Sequence, residues 1–155
     1  MMQVALYKGP PSIGDWVHVL SHWITCAVLS VRAGQWVRHS HAEIVIDGVC
    51  YSSSLRDGGT RAKQINLNTG RWDVLDVPVW FNEDAAKKIA KSLLGRKYDR
   101  RGALALAIPS LGQNDGKIFC FEFVAQCLQL DDPHTATPPD LIAAVVDNGS
   151  MWHDN

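Results

Sequence analysis

Apolar and polar residues follow a strand-like pattern in the middle of the chain. The β-prone runs 42–46 and 49–53 are joined by Asp47 and Gly48, and an Asp-Gly pair between two such runs is the strongest short-range signal for a two-residue hairpin turn. The alternation of apolar and polar residues over 73–79 predicts a further strand. We therefore expect an antiparallel hairpin accompanied by other strands.

Helical patterns flank these strands. The run 16–20 fits a short strand, whereas 21–31 fits a buried helix or a second apolar strand, and we favour the helix. Asn82 is predicted to cap a helix that extends to about Leu94 and ends at Gly95, with acidic residues in its first turn and lysines later. We expect a loop at 131–139 and shorter helices over 102–108, 120–129 and 139–147. Helices combined with a few mostly antiparallel strands indicate an α+β fold.

The composition fits one globular domain. The chain has 155 residues, of which 46% are hydrophobic and 20% charged, enough for one core and short for two. The chain contains fifteen lysines and arginines and sixteen aspartates and glutamates, so its formal net charge is −1. This balance lacks the basic excess that phosphate-backbone binding usually needs, so we do not expect a nucleic-acid partner. The prediction is a single domain over 1–155.

The first 31 residues contain no clear targeting or membrane signal. The stretch 1–14 lacks an apolar run behind a basic start, and polar residues interrupt the apolar stretch 16–31. We therefore expect a soluble protein without a signal peptide or an integral membrane segment, either cytoplasmic or virion-associated. The four cysteines are expected to be reduced thiols, and their spacing matches no zinc pattern. No metal or other cofactor is predicted. The cysteines are Cys26, Cys50, Cys120 and Cys127.

Cys120 is the best candidate nucleophile. It is expected to open a helix just after the glycine- and asparagine-containing stretch 112–116. The positive end of a helix dipole favours a thiolate and so makes the sulfur nucleophilic at neutral pH. His41, at the start of the predicted hairpin, is the best placed base. A lone cysteine on an apolar helix is more often a core residue, as we expect for Cys127.

The hairpin register predicts the neighbours of His41. With Asp47 and Gly48 as the two loop residues, the hairpin pairs Val45 with Cys50, Glu43 with Ser52, and His41 with Ser54, all on one face. Either Glu43 or Ser54 is then placed to hold one imidazole nitrogen and leave the other for the Cys120 thiol. Thiol, base and orienting group are the three parts of a cysteine-hydrolase site.

Several short motifs together resemble a known superfamily. Gly95-Arg96-Lys97-Tyr98, followed by Phe119-Cys120-Phe121-Glu122-Phe123-Val124, resembles the Gly-x-x-Tyr stretch and cysteine helix of the NlpC/P60 papain-like cysteine peptidases. Ser40-His41-Ala42-Glu43 ahead of the hairpin is similar to the circularly permuted branch, in which the histidine strand precedes the cysteine helix. The lecithin:retinol acyltransferase group has the same order. The resemblance spans roughly 14–141.

The resemblance implies a fold and site roles. The fold would be permuted papain-like, with a small antiparallel sheet against which the nucleophile helix packs. Tyr98 would line the cleft and bind substrate. Glu122 is a second candidate for substrate binding, although its position on the helix fits better with holding the helix start or a nearby loop. Phe121 departs from the serine that often follows the cysteine in permuted members.

The resemblance also implies an activity. The expected function is a thiol hydrolase that cleaves an amide bond in peptidoglycan stem peptides or similar small peptides, in a phage or bacterial setting. Two alternatives remain open at this point. One is a thiol-dependent lipid acyl hydrolase or acyltransferase, for which a long apolar channel beside Cys120 would argue. The other is a catalytically inactive binding domain.

Overall fold

One mixed sheet and five α-helices make up the described part of the chain. The computed structural model describes residues 1–9, 16–105 and 116–146, and for 16–21 it describes the backbone only. The strands are β1 (Met2–Tyr7), β2 (His41–Ile46), β3 (Val49–Ser54), β4 (Gly59–Lys63), β5 (Trp72–Asp76), β6 (Lys97–Tyr98) and β7 (Lys117–Ile118). The helices are α1 (Trp16–Ala33), α2 (Glu83–Ser92), α3 (Arg100–Ala105), α4 (Cys120–Cys127) and α5 (Pro138–Val146), with a 3-10 helix at Pro133–Thr135.

The strand order in the sheet is β5-β1-β2-β3-β4-β6-β7. Neighbouring strands are antiparallel, except that β6 and β7 are parallel. The structure thus confirms the α+β class. Among the described helices, none has the length and apolar character needed to cross a bilayer.

The predicted hairpin is confirmed by the turn between β2 and β3. Asp47 and Gly48 have φ angles of 52° and 74°, and positive φ at both central residues is what a type I′ turn requires. Ile46 pairs with Val49 and Val45 pairs with Cys50, as the loop count predicts. Side chains therefore alternate between the two faces of the hairpin as expected.

The main core lies between the sheet and α4. Ile44 and Ile46 of β2 pack in this core with the aromatic side chains of α4. Every residue of α4 is buried except Gln126. Val45 and Cys50, on the opposite face of the hairpin, belong to a smaller apolar cluster that also contains Ala5. Packing of α4 against β2 and β3 brings the start of that helix close to the start of β2.

Two sequence-based expectations about helix ends are wrong. The run 16–20 forms the first part of α1 and not a separate strand. No glycine or proline separates it from the run 21–31, and five residues are too few to distinguish the helical period from the strand period. The last helix begins at Pro138, one residue earlier than expected. Thr137 precedes it and donates through both its N–H and its hydroxyl to the Asp140 carboxylate, at 2.8 and 2.5 Å, which holds the helix start.

Other elements agree with expectation or differ in length. Asn82 caps α2 through the N–H of Ala85, at 2.9 Å. The strand predicted over 73–79 ends at Asp76, shortly before Pro78, which has no N–H to donate to a ladder. The helix predicted over 120–129 ends at Cys127. Of the predicted helices 102–108 and 139–147, positions 106–108 and 147 lie outside the described residues.

Candidate active site

Cys120 is the first residue of α4 and is buried. The preceding Phe119 is extended, with φ −104° and ψ 172°, and its side chain offers no cap. Glu122, in the first turn, instead accepts a hydrogen bond from the Phe119 N–H, which precedes the helix. The first N–H groups of a helix have no partner within the helix. The start of α4 is therefore suited to stabilise negative charge near the Cys120 sulfur.

His41 is the first residue of β2 and lies between Cys120 and Glu43. Its Nε2 is 2.8 Å from Oε1 of Glu43, and the imidazole also interacts with the Cys120 sulfur. Burial lowers the pKa of His41, but its interactions with the Cys120 sulfur and with the Glu43 carboxylate outweigh burial and raise the pKa to about 10. The imidazole is therefore held as an imidazolium beside the sulfur.

Glu43 is fully buried and is held by Arg61 as well as by His41. Arg61 binds it through both terminal nitrogens, one of them 2.5 Å from Oε2. Burial raises the pKa of Glu43, but the hydrogen bonds from Arg61 and His41 more than offset this, so the pKa is lowered and the carboxylate stays charged. Arg61 Nε also donates to Asp57, at 3.0 Å. The charge network therefore continues from the imidazole to the cleft surface.

Ser54 lies at the end of β3, and its hydroxyl hydrogen-bonds Asp57. The sequence leaves Glu43 and Ser54 open as the orienting residue. In the structure Glu43 contacts the imidazole, whereas Ser54 faces Asp57 and lines the cleft. Of the two candidates, Glu43 is therefore the one in contact with the imidazole.

A cleft of about 690 Å³ lies beside His41. Its lining contains the basic residues Arg56, Arg61, Lys63 and Arg71 and the acidic residues Glu43 and Asp57. Both acidic side chains are bound by Arg61, and Asp57 is also bound by Lys63, at 2.8 Å. Arg56 and Arg71 form no ion pair with any other described residue. The cleft therefore has an excess of positive charge.

A second, apolar cavity of about 90 Å³ lies against Cys120. Phe119 and Phe121 form part of its wall, while Thr25, Ser40 and Tyr98 line both this cavity and the large cleft. These three residues thus mark the boundary between the sulfur and the wide cleft.

The two residues predicted to bind substrate are placed differently. Tyr98 lies on β6 at the boundary of both cavities, and burial, together with the charges of Cys120 and Asp99, raises its pKa, so the phenol is neutral. Glu122 lines neither cavity. Its Oε1 lies 3.3 Å from Gln126 Nε2 and 3.6 Å from His134 Nδ1. Glu122 therefore supports the start of α4, and the structure does not bring it to the cleft.

Sequence reasoning missed three residues of this site. Arg61 was missed because β4 was not predicted: its sequence is mostly polar and shows no clear alternation. His22 and Ser40 were not connected because they lie on different elements; their Nδ1 and Oγ atoms are 2.6 Å apart. Among the described residues, no group of three or more histidine, cysteine, aspartate or glutamate side chains is arranged to hold a metal ion.

Comparisons with protein-family models, with curated proteins and with solved structures give no significant match for this chain. The interpretation of the site therefore depends on its own geometry: a cysteine at a helix start, an imidazolium beside it, and a buried carboxylate behind the imidazolium.

Proposed function

We propose that the protein is a thiol hydrolase that cleaves amide bonds, with Cys120 as nucleophile, His41 as acid and base, and Glu43 as the residue that orients His41. The observation that carries the proposal is the position of His41, which hydrogen-bonds Glu43 through Nε2 and also interacts with the Cys120 sulfur. The order of the His41 strand and the Cys120 helix supports a permuted NlpC/P60-like arrangement.

The chemistry follows from this arrangement. The Cys120 thiolate attacks the amide carbonyl carbon, an S–C bond forms, and the π electrons of the carbonyl move to its oxygen. When the C–N bond breaks, the His41 imidazolium gives its proton to the leaving nitrogen and a thioester remains. Water then attacks the thioester as His41 takes its proton, the C–S bond breaks, and the carboxylic acid and the thiolate are released. N–H groups at the start of α4 stabilise the oxyanion.

The cavities favour a peptide over a lipid. The small cavity beside Cys120 has about 90 Å³, the share of roughly three water molecules in the liquid, which is short of the space a long acyl chain needs. The lining of the large cleft includes several charged side chains, and among them Arg56 and Arg71 offer forked donors that suit carboxylates. We therefore propose a substrate with acidic groups, such as a peptidoglycan stem peptide or a similar small peptide.

The test is hydrolysis of stem peptides released from bacterial cell walls, with product masses recorded. We expect the wild-type protein to give two fragments whose masses sum to that of the substrate plus one water. Cys120→Ala should abolish this cleavage, because no other group replaces the sulfur. Cys127→Ala, at the other end of the same helix, is the matched control and should retain it. Full activity of Cys120→Ala would exclude the mechanism.

A further inference from the structure

A second group of polar side chains lies beside the Cys120 cavity, and the proposed mechanism does not use it. His22 of α1 is buried, and its Nδ1 lies 2.6 Å from Oγ of Ser40. Its other nitrogen, Nε2, lies 3.7 Å from the sulfur of Cys26, one turn further along α1. Ser40 directly precedes His41 and is anchored by its N–H, which donates to the Tyr7 carbonyl at 3.0 Å.

The protonation of this group decides which way the Ser40 hydroxyl points. Burial lowers the pKa of His22, so its ring is neutral, and burial raises the pKa of the Cys26 thiol to about 11, so the S–H is retained. A neutral imidazole has one donor and one acceptor nitrogen. In the tautomer that carries its hydrogen on Nδ1, Nε2 accepts a hydrogen bond from the Cys26 S–H. Nδ1–H of His22 then donates to Ser40 Oγ, and the hydroxyl proton of Ser40 is left to bind another group.

The position of Ser40 indicates what that group is. Ser40 lines both the wide cleft and the small cavity whose wall includes Cys120. A carbonyl carbon attacked by the sulfur would lie where these two spaces meet, and its oxygen would become negative during the attack. A hydrogen bond aimed at that oxygen is strong in an apolar surrounding such as the one Phe119 and Phe121 provide.

We propose that Ser40 donates its hydroxyl proton in a hydrogen bond to the carbonyl oxygen of the substrate attacked at Cys120, and that His22 is a positioning residue that orients Ser40. This inference rests on the proposed thiol hydrolase function. It adds a side-chain donor to the N–H groups at the start of α4, and it gives the buried pair of His22 and Cys26 a role in the reaction.

The test separates oxyanion binding from the reactivity of the thiol. N-acetylglycinal is a small aldehyde to which a thiolate adds: the S–C bond forms, the carbonyl π bond breaks, and the oxygen takes up negative charge or a proton. Its affinity is measured by how well it protects Cys120 from iodoacetamide. Alkylation by iodoacetamide forms no oxyanion, so its rate in the absence of aldehyde reports the thiolate alone.

We expect Ser40→Ala to weaken aldehyde binding roughly 100-fold, the size of effect seen for loss of one oxyanion donor, with the alkylation rate of Cys120 unchanged. Ser40→Thr keeps a hydroxyl and should retain most of the affinity. His22→Asn keeps an N–H donor near the position of Nδ1 and should bind the aldehyde more tightly than His22→Ala.

Each result has a distinct meaning. Wild-type affinity in Ser40→Ala, or equal losses in Ser40→Ala and Ser40→Thr, would overturn the role of Ser40 and leave the thiol hydrolase standing. Equal losses in His22→Asn and His22→Ala would overturn the positioning role of His22. Absence of any aldehyde adduct on Cys120 in the wild-type protein would overturn both the hydrolase and this inference.

Discussion

Replacing Arg61 by methionine should destabilise the protein strongly, because it leaves a buried carboxylate short of its main partner. Glu43 is 0% exposed and the Arg61 side chain is only 14% exposed. Methionine keeps much of the apolar length of arginine but removes the guanidinium that binds both carboxylate oxygens. Glu43 would then depend on the single hydrogen bond from His41.

The size of the effect follows from the burial. Breaking a buried ion pair by removing one partner costs about 3–5 kcal/mol. His41 remains as a cationic neighbour of Glu43, so we expect the lower end, about 3 kcal/mol in the free energy of unfolding. For a chain of this length, each kcal/mol lowers the melting temperature by about 2–4 °C, so the expected decrease is roughly 6–12 °C.

The assay is urea unfolding followed by circular dichroism and by tryptophan fluorescence. The control is Arg38→Met: Arg38 is 65% exposed, and its partner Asp73 keeps Lys8 and His39. That substitution should change the free energy of unfolding by at most about 1 kcal/mol, as for a surface pair. The double variant Arg61→Met with Glu43→Gln should be more stable than Arg61→Met alone, because no unpaired charge stays buried. If Arg61→Met is as mild as Arg38→Met, the reasoning is refuted.

Two further predictions concern the base and the sheet. Glu43→Gln removes a negative charge that raises the pKa of His41. Because the imidazolium must protonate the leaving amine, the alkaline limb of the pH profile of kcat/KM should move to lower pH. An unmoved limb would contradict the role of Glu43 beside His41. Gly59→Ala would place a Cβ 2.1 Å from the Arg96 carbonyl oxygen, so strand β4 must shift, and chemical unfolding should show a loss of about 1–3 kcal/mol. A wild-type unfolding midpoint in Gly59→Ala would contradict that packing.

Elements with strong local signals could be predicted from the sequence. The hairpin has a turn whose two residues both accept positive φ, and α2 has an asparagine cap at its start. Strand β1 has no such signal. It is held by pairing with β2 and β5, as in the pairs Met2 with Ile46 and Gln3 with Asp76, and these partners are distant in the sequence. Its formation depends on tertiary contacts that local periodicity does not contain.

The site could be predicted in part for the same reason. His41 and Cys120 are identified by residue type and by their positions at the starts of a strand and a helix. The choice between Glu43 and Ser54 depends on where Arg61 and Asp57 lie. Arg61 lies opposite Ser52 in the register of β3 and β4. Strand β4 is mostly polar, so its sequence has no apolar pattern from which that register could be predicted. Sequence reasoning therefore found the candidate nucleophile and base, and left the buried partner of Glu43 unidentified.

The central claim is that His41 activates the Cys120 sulfur as a nucleophile. The most direct test is the rate at which iodoacetamide alkylates Cys120 at pH 6, where an isolated thiol is mostly protonated, followed by mass analysis of the Cys120 peptide. The account predicts rapid alkylation in the wild-type protein and a rate roughly tenfold lower, or lower still, in His41→Ala. Equal, slow alkylation of the two proteins at pH 6 would contradict it.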